Sequence, residues 1–81
     1  MTEEDGSALK IAQELLSGTT TCAVVAQDLS RLDRVSPGFE KLVHFLYHFV
    51  ADEDVRGRDE EYARWQREEL HRLIAEAMHL L

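Results

Sequence analysis

The chain is poor in the residues that support several common functions. One cysteine among 81 residues allows no internal disulfide, so the fold has to hold without one. That usage fits a reducing compartment, and a cytoplasmic location is the expectation. Four glycines are too few and too scattered for a loop that cradles phosphate. Basic residues are scarce as well: nine Lys and Arg against sixteen Asp and Glu give a net charge of −7. Counterion release from nucleic acid needs clustered cations, so this balance disfavours a nucleic-acid partner. It disfavours an anionic membrane surface for the same reason, and no apolar run is long enough to span a bilayer. The opening "TEED", residues 2 to 5, is acidic where a secretory leader would be basic. No nucleophile stands in a recognisable setting with a base. Cys22 lies on an apolar stripe and is expected to pack, so the expectation is no catalytic residue and no enzyme.

What is present reads as one small helical domain. Apolar residues make up 44% and charged residues 31%, the balance of a folded chain and not of a disordered one. A chain of this length buries only about 60% of the surface it exposes when unfolded, which leaves little stability in reserve. The periodicity predicts an all-α fold, a four-helix bundle within residues 1–81, possible to complete by dimerisation. Its helices are expected at about 4–17, 21–33, 37–52 and 59–80. Ala8, Ile11, Ala12, Leu15 and Leu16 form the stripe of the first, which Gly18 stops. The second opens at Thr20 or Thr21 and carries Cys22, Val25, Leu29 and Leu32. Its start, "TTTCAVV", is β-branched enough for a strand, but no other segment offers a partner strand.

In the third helix Ser36 reads as the N-cap and Pro37 as the first residue, where its missing N–H costs nothing. Phe39, Leu42, Val43, Leu46, Phe49 and Val50 then share the inward side. The fourth shows a seam of Ala63, Gln66, Leu70, Leu73, Ala77 and Leu80. Behind it Glu60, Arg64, Glu68, Arg72 and Glu76 form an alternating ladder, a solvated face. "DEDVRGR", residues 52 to 58, reads as an acidic turn. It has Asp52, Asp54 and Gly57 at calcium-loop spacing, but it puts Arg56 and Ala63 where oxygen ligands belong.

Histidines are the remaining candidates for metal chemistry. His44 and His48 point away from the inward side of the third helix, one turn apart. That is a chelating spacing. Glu40 and Asp52 continue the line, but four residues along one helix face cannot converge on one ion. The Glu68-x-x-His71 and Glu76-x-x-His79 pairs have di-iron spacing, yet both lie on one helix where two are needed. The expectation is therefore no metal and no cofactor, with His44 and His48 the residues to watch.

Residues 10 to 29, "KIAQELLSGTTTCAVVAQDL", resemble the start of a tryptophan-repressor-type helix-turn-helix. The shared features are a basic-Ile opening, Glu14-Leu15-Leu16, a helix-ending Gly18, and a second helix opened by Thr21. The resemblance implies a DNA-binding transcription regulator as the alternative function. It departs from that pattern at the third helix, which is apolar and aromatic where a recognition helix is basic and polar.

That third helix points to the main expectation. "KLVHFLYHFVAD", residues 41 to 52, carries a charge only at its two ends, in a chain dense with acids. A helix short of charge all round is buried all round, and aromatics with few charges are the composition of interface centres. His44, Phe45, Tyr47, His48 and Ala51, joined by Trp65 from the last helix, are the expected interaction surface. The expected function is a small non-catalytic module that binds another protein, as a homodimer.

Overall fold

A computed structural model describes residues 2–79, and among these the chain is all-α, with five helices and no strand. The first helix, α1 (Glu3–Ser17), starts in a capping box: Thr2 Oγ1 accepts from Asp5 N–H at 3.1 Å, and Asp5 Oδ2 accepts from Thr2 N–H at 3.0 Å. It ends at Gly18, whose φ of 78° is left-handed and carries no Cβ penalty. Thr21 caps α2 (Cys22–Ser30) by accepting from Val24 N–H at 3.3 Å. The β-branched opening is thus helical.

α2 is shorter than the expected 21–33. Residues 32–36 lie outside any helix, and two of them are tied to the start of α1. Arg34 N–H donates to the Glu4 carboxylate, and Ser36 N–H donates to Asp5 Oδ1 at 2.7 Å. Leu32 and Val35 pack against the core from this strap. Ser36 also lies before a proline, which disfavours helical backbone there. It stands at the N-cap of α3 (Pro37–Ala51), as expected, although its side chain makes no capping bond. Its hydroxyl donates instead to Asp5 Oδ2 at 2.5 Å.

Residues 52–58, expected as a turn, contain a one-turn helix, α4 (Glu53–Arg56), before α5 (Glu60–Met78). α3 is the central element, packed against α1, α2 and α5, while α5 also packs against α1 and α4. The expected inward residues Phe39, Leu42, Leu46 and Phe49 are buried, with Val43 and Val50 half-buried beside them. From α5 the seam residues Gln66, Leu70, Leu73 and Ala77 are buried, together with Ile74, and Ala63 is half-buried. Leu80 lies outside the described residues. The expected ladder on the back of α5 forms only around Arg72, which pairs with Glu76 at 2.6 Å and with Glu69, a residue outside the ladder. No described helix is long and apolar enough to cross a membrane.

Candidate interaction surface

The outer side of α3 is set by its inner side. At 100° per residue, burying Phe39, Leu42, Leu46 and Phe49 leaves His44 and His48 opposite the core, with Tyr47 and Ala51 towards one flank and Phe45 towards the other. His44, Tyr47, His48 and Ala51 are all exposed, and Tyr47 keeps 50% of its surface. No charged residue occurs between Lys41 and Asp52. The two imidazoles meet edge to face, with 4.7 Å between centroids and 3.1 Å between the Nε2 atoms.

The flanks are anchored differently. On the α2 side the Tyr47 hydroxyl donates to the Leu29 carbonyl at 3.1 Å, which fixes the ring across the end of α2. On the α5 side Phe45 is half-buried and packs against the core. Trp65, 52% exposed, meets it at 6.5 Å between ring centroids and stacks on Tyr62 at 5.8 Å. The structure therefore brings Phe45 and Trp65 together, sets the histidine pair between the flanks, and leaves Tyr47 on the far side. Tyr62 is the aromatic that sequence reasoning missed. Its spacing of three from Trp65 on one helix was the available signal.

Beneath this surface lies a polar cluster. Asp52, at the C-terminal end of α3, accepts from the Tyr62 hydroxyl at 2.7 Å and from Gln66 Nε2 at 3.1 Å. Gln66, only 1% exposed, accepts in turn from Arg56 at 2.7 Å. The Arg56 guanidinium also donates to the Phe49 carbonyl, lies 3.7 Å from the Phe49 ring centroid, and reaches Cys22 Sγ at 3.4 Å. One arginine from α4 thus ties α2, α3 and α5 together. The Asp52 hydrogen bond, with burial and the Asp52 charge, pushes the Tyr62 hydroxyl above its usual range against the opposing pull of Arg56. Tyr62 is a donor here, not a base.

Burial pushes the Cys22 thiol up too, helped by its hydrogen bond to Glu53 and the Glu53 charge, while Arg56 opposes. A protonated thiol is a poor nucleophile, which fits packing as its role. Elsewhere, an open groove between α1 and α2 is lined by Glu3, Glu4, Glu14 and Asp28 beside Lys10 and Arg31. It holds neither histidine nor cysteine.

Among the described residues, no three His, Cys, Asp or Glu side chains gather where they could hold a metal ion. Those residues also leave no buried side-chain polar atom without a partner. Excess chelator is expected to leave helical ellipticity unchanged at room temperature; loss of helix that zinc restores would contradict this.

Comparison with protein-family models, with curated proteins and with solved structures finds no match to this chain. The stretch that resembles a helix-turn-helix forms most of α1 and α2. The helix after it, however, turns its apolar side into the core, and the outward residues of that helix include one base, Lys41.

Proposed function

We propose that the protein is a small non-catalytic α-helical interaction module that acts in the cytoplasm by binding another protein. In this reading it is a homodimer through the outer face of α3, and the second copy completes a four-helix bundle formed by α1, α2, α3 and α5. The observation that carries the reading is the exposure of Tyr47 and Trp65 beside ten consecutive uncharged residues, Leu42 to Ala51. Two half-exposed rings are costly to leave in water, and aromatics in a charge-poor setting are typical anchors of protein interfaces. A second copy fits this face because its partner surface must itself be poor in charge. The rest of a chain with net charge −7 does not supply such a surface. The DNA-binding alternative has less support, since α3 offers one base where a recognition helix needs several.

Trp65 is the only tryptophan, so it reports directly on this face. On dilution through the dimer constant its emission should shift to the red as the indole returns to water. Tyr47→Glu should weaken association by roughly tenfold or more, the loss of one anchor contact. Arg64→Glu, which alters the exposed back of α5, should change it little. Phe45 is a poor choice for this test because a charge there would disturb the core as well as the face. Equal association of the Tyr47→Glu and Arg64→Glu variants would contradict the assignment of the surface.

A further inference from the structure

We propose that His44 and His48 together bind one divalent transition-metal ion of the imidazole-preferring class, such as zinc or nickel, through their Nε2 atoms, with the remaining coordination positions open to water. The pair stands in the middle of the α3 face read above as the dimer surface, so the site belongs to the free chain, and the titration below is made under as well as above the dimer constant.

Spacing alone gives two histidines on one face. The structure adds that they converge. Two solvated side chains one turn apart need not touch, yet these rings meet at an interplanar angle of 73° with their Nε2 atoms 3.1 Å apart. Two nitrogens at ordinary zinc–nitrogen distances lie about 2.9 Å apart at a right angle and about 3.3 Å apart in a tetrahedron. The observed separation falls between these values, so the two nitrogens stand at a chelating distance. The backbone that carries the pair is held by Leu42, Leu46 and Phe49 in the core, which limits how far the two ligands can drift apart. Ligands already gathered lose less entropy on binding.

The 3.1 Å contact is a hydrogen bond when one ring carries its proton on Nε2 and donates to the other Nε2. When an ion binds, both Nε2 atoms act as lone-pair donors, and the proton of the donor ring moves to its own Nδ1. No net proton needs to leave a neutral pair, and both residues are exposed, so water can solvate that N–H. The charges nearby are mixed: Lys41 lies three residues before His44 and opposes a cation, while Glu40 lies four residues before it and favours one. The overall charge of −7 attracts cations to the chain. Asp52, next on the line, does not serve as a third ligand, because its Oδ2 accepts from Tyr62 and Gln66. Two protein ligands make an exchangeable site, distinct from the closed four-ligand sites that hold folds together. Imidazole pairs suit zinc and nickel, whereas magnesium prefers oxygen.

The test is calorimetric titration of the full chain near neutral pH with zinc chloride and with nickel chloride, with magnesium chloride as the control. The expected result is one zinc or nickel ion per chain and no magnesium binding. His44→Gln and His48→Gln should each weaken binding by roughly tenfold or more, since losing even a supporting second-layer contact costs that much. His71→Gln and His79→Gln, on α5 and its C-terminal end, should bind as the wild type does. Both exposed variants should keep the wild-type ellipticity, so lost binding would not reflect lost fold. Zinc binding of equal strength in wild type and the His44→Gln/His48→Gln double variant would overturn the proposal, as would the absence of zinc and nickel binding in the wild type.

Discussion

Leu46→Ala is expected to destabilise the protein by about 2–5 kcal/mol, the range for deleting a fully buried leucine side chain. Leu46 lies in the middle of α3 with no exposed surface, surrounded by the buried side chains of the other long helices. A domain of this size has a total stability on the order of 4–12 kcal/mol, so one substitution removes a large share of it. The Tm should fall by roughly 10 °C or more, or the cooperative transition should vanish. Val24, 47% exposed, is the control: Val24→Ala should stay within about 0.5 kcal/mol of wild type. Urea titration followed by ellipticity measures both. A Leu46→Ala variant as stable as Val24→Ala would mean that α3 is not the centre of the core.

Asp5 should have an effect of comparable size, for an electrostatic reason. It has no exposed surface and joins two segments far apart in sequence: it closes the α1 capping box and accepts from both the backbone and the hydroxyl of Ser36. Burial raises its pKa, but the hydrogen bond from the Ser36 hydroxyl outweighs this together with those from the Thr2 and Ser36 backbone and the Thr2 side chain. The carboxyl is held at about 2. A folded-state pKa below the unfolded value means that ionised Asp5 stabilises the fold. That contribution is complete above about pH 4 and is lost as the pH falls through about 2. Asp5→Ala should therefore lower Tm at neutral pH by roughly 10 °C, because the strap loses its anchor and α1 its cap. The gap between wild type and variant should narrow between about pH 4 and pH 2. Paired thermal melts across that window measure it. A gap that stayed constant with pH would show that the Asp5 charge is not what holds residues 32–36.

The elements of the fold were legible where one periodic stripe meets one cap. Gly18 and Thr21 delimit the α1–α2 turn as local chemistry dictates, and the inward face of α3 follows from its apolar spacing. What was not legible depends on contacts between distant segments. Asp5 stands in a Thr-x-x-Asp pattern that marks a capping box, so its local role could have been read. Its bonds to Ser36, thirty-one residues away, could not. The same holds for Arg56. In sequence it is one base in an acidic turn, and only the packing of α4 against α5 places it among Gln66, Phe49 and Cys22. α2 ends at Ser30, and the residues that follow include Arg34 and Ser36, whose bonds to α1 are likewise contacts between distant segments.

The candidate surface was legible as a set of residues but not as an arrangement. Charge-poor α3 with Tyr47 and the flanking Trp65 could be read from spacing. The half-burial of Phe45 and the contact between the two imidazoles depend on side-chain packing that spacing does not determine.

The central claim, that the outer face of α3 joins two copies of the chain, is tested most directly by light scattering on the purified wild-type protein at about 100 μM, well above a micromolar dissociation constant. The account predicts a mass of twice 9.3 kDa, returning towards 9.3 kDa for Tyr47→Glu at the same concentration. A wild-type mass of 9.3 kDa at that concentration would contradict it.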